Sequence, residues 1–370
     1  MYFRLVVAGP RSRARIVPVR TARGADASGA DAPGADAPGA DAQNYVAVSV
    51  SLAAILLAAA LLAPAAPVVA QSWPAKPIRL VVPFAAGGNV DLTARLTAPP
   101  MQDALGQPIV VENRLGAGGM IASELVAKAP PDGYTLLMGS NSTFSVAPAL
   151  YPNAPYHPIR DFTPISNIQV TPFVLIVRTG LPAQSVADLV KLAREKPGTL
   201  TMGSGGTGSS NQLVGELFQM LAGVKFVHVP YKGSAPATAE VMGNQIDMLF
   251  DQGSTAGNNA RNGKVRALAV SARTRMAMIP EVPTFGEAGI KDFEIANATG
   301  LLGPAALPAP IVQRLHAAVV KALATPQVKE RFAQMGVDAV GSTSEEFAAF
   351  IKEDFARWTK VVQATGIKPD

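Results

Sequence analysis

Three glycine-rich turns are the first places in this chain where chemistry could be done. They are Pro83-Phe84-Ala85-Ala86-Gly87-Gly88-Asn89-Val90-Asp91, Asn113-Arg114-Leu115-Gly116-Ala117-Gly118-Gly119 and Gly203-Ser204-Gly205-Gly206-Thr207-Gly208-Ser209-Ser210. Each follows a strand-like apolar run and precedes a segment of helical period. A helix N-terminus presents unpaired N–H groups and a partial positive charge, and glycine lets an anion approach the backbone. Capture of a carboxylate or a phosphate is the chemistry such turns suit. Any one of them alone is equally a tight turn that needs positive φ; three together favour an anion site.

Other chemistries have little to work with. The chain has no cysteine, which excludes thiol catalysis, Cys-ligated zinc, iron–sulfur clusters and a lipid-modified cysteine. Its three histidines, His157, His228 and His316, lie far apart without metal spacing, and His228 in an apolar strand reads as a satisfied core residue. No G-x-S-x-G elbow surrounds the serines. Gly203, Gly205 and Gly208 match G-x-G-x-x-G, but a dinucleotide site needs an acidic residue about 20 positions on, and none lies between Glu216 and Glu240. Acid–base work would fall to Asp91 or Asp251, and Asp91 reads more simply as a helix-start residue. Neither a cofactor nor a metal is expected.

The elements that position these turns alternate. Strands are expected at Ile78 to Val82, Pro108 to Glu112, Thr135 to Met138, Phe173 to Val177, Thr201-Met202, Phe226 to Val229, Ile246 to Phe250 and Val265 to Val270. Helices are expected at Asp91 to Met101, Ile121 to Ala129, Ser185 to Lys196, Asn211 to Leu221, Pro310 to Ala324, Pro326 to Met335 and Ser344 to Thr365. The last opens with a capping box, Thr343 and Glu346, and stops at Gly366. Such alternation implies parallel sheets built from βαβ units. The number of strands implies two α/β lobes, with ligands off the strand carboxyl ends.

The first 70 residues read as processing signals. Residues 1–43 include four copies of a Gly-Ala-Asp-Ala unit, followed in turn by Ser, Pro, Pro and Gln and too poor in large apolar side chains to fold, and disorder is expected there. Translation starting nearer Tyr45 would make that leader an artefact of the gene boundary. Residues 44–70 have the layout of a secretory signal peptide. Tyr45 to Ala63 carry no charge, Pro64 and Pro67 interrupt them, and Val68-Val69-Ala70 suits cleavage after Ala70. The alternative is a spanning helix, which needs about 20 apolar residues. Cleavage removes six Arg and four Asp, lowering the net charge from +5 to +3. The remaining Lys and Arg are scattered, without basic stripes, so nucleic acid is not an expected partner. Of all 370 residues only 16% are charged, below the roughly 25% usual in soluble domains, which excludes a coiled coil or an acidic disordered chain.

Several of these residues belong to a wider pattern. Trp73-Pro74-Ala75-Lys76-Pro77-Ile78, Pro83-Phe84 with Gly87-Gly88, Asp91 and Ala94-Arg95, and Asn113 with Gly116-Ala117-Gly118-Gly119 resemble the tripartite tricarboxylate transporter substrate-binding receptors, the Bug family. So do Pro131-Asp132-Gly133-Tyr134-Thr135-Leu136-Leu137, Val229-Pro230-Tyr231-Lys232-Gly233, Gly263-Lys264-Val265-Arg266-Ala267-Leu268-Ala269-Val270 and Val282-Pro283-Thr284 with Glu287-Ala288-Gly289. The motifs run in order through 72–370.

The resemblance implies an α/β, two-lobe periplasmic-binding-protein-like fold (type II) with its ligand cleft between the lobes. Lobe 1 would be 72–172 plus 296–370, and lobe 2 would be 173–295. It implies an exported periplasmic receptor, not an enzyme, acting as a monomer that captures a small carboxylate for membrane permease subunits. A ligand sensor for a membrane kinase, or an enzyme using Asp91 or Asp251 as base, stand as alternatives. Carried over by position, the carboxylate would meet backbone N–H groups around Ala86, Gly87 and Gly88, with Phe84 and Asp91 also among the ligand-binding residues. Ser140, Asn141, Ser142 and Thr143 would line the same lobe. Thr171, Gly206, Thr207, Gly208 and Asp251 would close from the other. Ala86 replaces a usual Pro, and Ser209-Ser210-Asn211-Gln212 replaces a stretch containing Pro and His. An unpaired Asp251 in the cleft would repel a second carboxylate and favour an ammonium or hydroxyl group. Residue types alone do not name the acid.

Overall fold

Strand β1, Ile78–Val82, sets the pattern of the fold, because its side chains alternate between two cores. Ile78, Leu80 and Val82 pack with Leu136, Leu315, Val319 and Phe332. Val81 points the other way, to Val126, Leu137, Phe144 and Phe347. The computed structural model describes residues 73–367, within the unit Val69–Asp370; the leader and the signal peptide lie outside the described residues. Among the described residues no helix is long and apolar enough to cross a membrane.

In chain order, β1 is followed by α1 (Asn89–Leu105), β2 (Ile109–Asn113), α2 (Met120–Ala127) and β3 (Thr135–Ser140). A π-helical turn, Ser142–Val146, leads into α3 (Ala147–Leu150) and then a long strand β4 (Phe162–Val177). Next come α4 (Val186–Glu195), β5 (Thr201–Ser204), α5 (Ser210–Ala222), β6 (Val227–Pro230), α6 (Ser234–Met242), β7 (Met248–Gln252), α7 (Gly253–Arg261) and β8 (Arg266–Val270). The chain ends with β9 (Ala296–Pro304), α8 (Ala309–Ala324), α9 (Pro326–Met335), a two-residue β10 (Asp338–Ala339) and α10 (Ser344–Thr365).

The strands follow the order β2-β1-β3-β9-β4-β7-β5-β6, with β8 and β10 also on β4. The expected wholly parallel sheets are not what forms. β1 pairs parallel with β2 and β3, and β5 with β6 and β7, but β9 runs antiparallel to both β3 and β4, and β4 antiparallel to β7 and β8. β4 belongs to both halves. Phe162 to Pro172 pair with β9, Phe173 to Val177 pair with β7, and Val174 to Val177 pair also with β8. Its first half carries two register shifts, between Pro164 and Ser166 and between Asn167 and Gln169, which bend the strand as it crosses.

Beyond that crossing the alternation repeats. Phe173, Leu175 and Val177 face a core with Phe218, Phe250, Phe285, Phe293 and Trp358. Val174 and Ile176 face Val241, Leu249 and Met276. The four phenylalanines form one cluster, with Phe285 and Phe293 centroids 4.4 Å apart. α10 touches both halves: Phe347 and Ile351 lie in the β1–β3 core, and Trp358 lies in the core of the second half. Its capping box, Thr343 with Glu346, is formed as the sequence predicts, and Gly366 closes it in the left-handed region.

Candidate functional site

The loop Phe84 to Gly88 is held by one carboxylate. Asp91, in the first turn of α1, accepts the Gly87 N–H at 2.9 Å, the Arg95 Nε–H at 3.0 Å and the Asn113 Nδ2–H at 2.9 Å. The same Asn113 amide donates to the Phe84 carbonyl at 2.8 Å. Burial pushes the Asp91 carboxyl up, but the hydrogen bonds from Arg95, Gly87 and Asn113 outweigh it and hold the group below the usual carboxylate range. Asp91 therefore shapes the loop from behind. Two expectations change with it: the Gly87 N–H is already used, and Asp91 has no free oxygen edge for a substrate.

The loop also touches the second half of the molecule. The Ala85 N–H donates to the Lys232 carbonyl at 3.1 Å. Gly233 approaches so closely that a Cβ there would lie 2.9 Å from the Ala85 nitrogen, which is why this position takes glycine. Nearby, Asn89 ties α1 to β9, to β4 and to α7. Its amide donates to Thr299 Oγ1 at 3.2 Å and accepts from Gln169 Nε2 at 3.1 Å and Ser254 Oγ at 2.7 Å.

Two cavities lie at this junction, with Phe84 and Gly205 lining both. The smaller leaves about 10 Å³, the room of roughly one water-sized sphere. It is lined by Gly88, Asn89 and Val90 at the start of α1, Ser142, Asn211 of α5, Ser234 at the start of α6 and Gln252 before α7. The first N–H groups of a helix lack intrahelical partners, and at α1, α6 and α7 no N-cap side chain supplies one. The Gln252 side-chain oxygen is buried without a hydrogen bond. The larger cavity, about 260 Å³, is lined by Gly116 to Gly119, Gly206, Thr207, Tyr231 and Lys232. Lys232 is the only charged residue among the described lining residues of the two. An open groove of about 980 Å³ lies elsewhere, along α4 and α5 by Arg194, Glu216 and Lys225, and includes none of the glycine turns.

Of the residues expected from the sequence, Phe84, Gly88, Ser142, Gly206 and Thr207 line these cavities. Ala86, Ser140, Asn141, Thr143, Thr171, Gly208 and Asp251 line neither, and most are occupied by internal hydrogen bonds. Asn141 donates to Asp354 at 2.7 Å and accepts the Ala298 N–H at 2.6 Å. The Thr143 hydroxyl bonds the Ser140 N–H and carbonyl. The Thr171 hydroxyl is buried without a partner. Asp251 is not the unpaired cleft group considered above. Fully buried, it accepts from Thr238 Oγ1 at 3.0 Å, Thr255 Oγ1 at 2.6 Å and the Gln252 N–H at 2.9 Å. Burial pushes its carboxyl up against the pull of these donors and of Ser234. It ties the first turns of α6 and α7 to the end of β7.

The third glycine turn is held by a separate set. Ser204 Oγ lies 2.6 Å from His228 Nε2 and accepts the Gly206 N–H at 3.0 Å. Gln212 Oε1 accepts the Gly208 N–H at 2.8 Å, and its Nε2 lies 3.4 Å from His228 Nδ1. Ser210 reaches across to Ser142, its N–H donating to Ser142 Oγ at 2.9 Å. Among the described residues no group of three His, Cys, Asp or Glu could hold a metal.

The sequence reading missed Asn89, Ser234 and Gln252 as lining residues. Their only signals were adjacency to glycine (Gly88-Asn89, Gly233-Ser234) and, for Gln252, position at a strand end. Lys232 stood within a family motif but was not singled out.

Against proteins already known, residues 93–367 match the family model described as the tripartite tricarboxylate transporter family receptor. The chain is 36% identical over 305 residues to the protein BugT of Bordetella pertussis, covering 82% of this chain and 94% of that one. The solved periplasmic binding protein BugD is 34% identical and superposes with a TM-score of 0.78, covering 80% of this chain and all (100%) of the other. MatC from Rhodopseudomonas palustris, solved with bound malate, is 36% identical with a TM-score of 0.77, over 78% and 100% of the two chains. These structures share the two-lobe fold of a solute-binding protein with this chain.

Proposed function

Because the chain belongs to the tripartite tricarboxylate transporter receptor family, whose members are periplasmic solute-binding receptors, we propose that it captures a small carboxylate between two lobes. It then presents the acid to membrane permease subunits, without turning it over. The lobes we propose are 72–172 with 296–370, and 173–295, and export follows cleavage near Ala70. The observation that carries this reading is the meeting of three uncapped helix starts, those of α1, α6 and α7, around one cavity. Each contributes about 0.3–1 kcal/mol toward an anion, and up to about 2 kcal/mol where partly buried. A carboxylate group would sit among Gly88, Asn89, Val90, Ser142 and Ser234, displacing the Gln252 amide. The rest of the acid would extend past Phe84 into the larger cavity by Thr207 and Lys232. Asp91 and Asp251, the two candidate bases, are spoken for by the loop and helix starts they hold, which argues against catalysis.

Succinate, malate, adipate, glutamate and benzoate, each with its uncharged amide, make a discriminating panel for a thermal-shift measurement on the purified protein. At about a hundredfold excess over its dissociation constant a ligand adds about 2.7 kcal/mol to native stability. One or more acids are expected to raise the midpoint while their amides do not. Equal shifts with acid and amide, or none with any acid, would overturn carboxylate capture. Loss of the bound acid from solution over time, followed by proton NMR, would instead favour an enzyme.

A further inference from the structure

We propose that His228 is a positioning residue for the ligand site, neutral and protonated at Nε2, and that a second proton on its ring releases the Gly205 to Gly208 loop. The inference rests on the reading of the two cavities as the ligand site.

The tautomer follows from the donors. Gly208 N–H can only donate, so the atom of Gln212 that meets it is the oxygen. The nitrogen of the same amide therefore faces His228 Nδ1 and donates to it. With Nδ1 accepting, a neutral ring carries its proton on Nε2 and donates it to Ser204 Oγ. Ser204 Oγ in turn accepts the Gly206 N–H. One imidazole thus stands at the centre of a chain that ends on both sides in the backbone of the glycine loop. Gly205, Gly206 and Thr207 of that loop line the larger cavity.

Protonating Nδ1 sets two donors face to face. The Gln212 amide must then turn or withdraw, and either movement takes its oxygen from the Gly208 N–H. Gly206 and Gly208 both have positive φ, 114° and 79°, one of several shapes open to glycine, so the bonds from Ser204 and Gln212 select the shape the loop holds. On the neighbouring elements, Glu216 lies on α5 and Glu240 on α6, and Lys225 and Lys232 lie two residues beyond either end of β6.

Two substitutions separate the roles of the ring. His228→Gln can place an amide N–H toward Ser204 and does not titrate; His228→Phe removes both bonds. For the acid of the panel that gives the largest shift, wild-type affinity is expected to fall about tenfold or more between about pH 7.5 and about pH 5.5. His228→Gln should bind within about threefold of wild type at the higher pH and lose most of that slope. His228→Phe should bind about tenfold more weakly at both values. Any slope left in His228→Gln belongs to the acid itself or to Asp251 and Asp354, whose carboxyls burial also pushes up. A ligand-free arm reads the network directly: ¹⁵N NMR of the ring should show the Nε2–H tautomer, and the Gly206 and Gly208 amides should have lower protection factors, corrected for the slower intrinsic exchange in acid, at the lower pH and in His228→Phe. An Nδ1–H tautomer, or exchange and affinity indifferent to both substitutions, would overturn the proposal. Slow, His228-dependent exchange in a protein that binds none of the acids would sink the carboxylate reading and leave the positioning role standing.

Discussion

Gly118→Val is expected to cost about a hundredfold or more in affinity for the captured acid, equivalent to about 2.7 kcal/mol, while the protein remains folded. Gly118 has φ 60°, and a Cβ built on it lies 2.5 Å from the Thr207 carbonyl oxygen and 3.1 Å from the Gly208 carbonyl carbon. Those atoms are backbone and cannot swing aside as a side chain would. Gly118 follows β2 in one half of the molecule, and Thr207 follows β5 in the other. A side chain at 118 can be accommodated only by moving the two loops apart, which opens the cavity they share. The left-handed backbone adds strain of about 1–3 kcal/mol for a residue other than glycine. Gly106 provides the control. It too has positive φ, 74°, but a Cβ there meets nothing within 4 Å, so Gly106→Val should lower the melting midpoint and leave affinity untouched. Isothermal titration with the acid, and small-angle scattering with and without it, would read both outcomes. Normal binding by Gly118→Val would show that the two loops need not touch to hold the ligand.

Asp91→Ala is expected to destabilise the protein by about 2–4 kcal/mol and to loosen the first glycine turn. Removing one member of a buried pair costs about 3–5 kcal/mol, reduced here because the Arg95 side chain is half exposed and stays hydrated. Asp91→Asn should not rescue it, since one face of the amide would meet the Gly87 N–H or Asn113 amide donor to donor. The pH behaviour follows from the depressed carboxyl. A native pKa below the unfolded value means the stabilisation is present above about pH 4 and is lost as the pH falls through the native value. Chemical denaturation at neutral pH should therefore separate Asp91→Ala from wild type clearly, and the two should converge in strong acid. A gap that stayed constant into acid would mean the loss comes from packing rather than charge.

Much of the scaffold was legible because its signals are local. β1, β2, β3 and β5 to β8 are short β-branched or apolar runs, and α5 and α10 begin with capping side chains that the chain spells out. β9 was invisible for a physical reason. Ala296 to Pro304 carry two glycines and a proline, yet Gly300 is required there, since a Cβ would meet the Phe347 ring at 2.4 Å. Tertiary packing, not propensity, makes that segment a strand. The first half of β4 was missed likewise, its Pro164, Ser166, Asn167 and Gln169 reading as loop while they lie against β9. With β9 and the first half of β4 missing, the remaining alternation could only suggest parallel sheets.

At the site, glycines announced where an anion could approach, but not which N–H groups stay free. That depends on Asp91 and Gln212 reaching back to Gly87 and Gly208, and on Ser204 reaching forward to Gly206, none of which residue type alone announces. Asp251 illustrates the converse. A carboxylate at a strand end looks available until Thr238 and Thr255, from two different helices, converge on it.

The place of β9 in the first sheet also governs how this chain can fold. It lies between β3 and β4 and pairs with both, Leu137 with Leu302 and Phe162 with Pro304, yet it is made only after every strand of the second half. Until residue 304 has left the ribosome, β3 and the first part of β4 carry open edges, whereas β5, β6 and β7 can already pair among themselves. Contacts of such long sequence separation slow folding, and open edges invite misassembly. The second half is thus the part able to condense early, and completion of the first waits on the C-terminal third. Refolding followed by pulsed hydrogen exchange should protect the amides of β5 and β7 before those of β3.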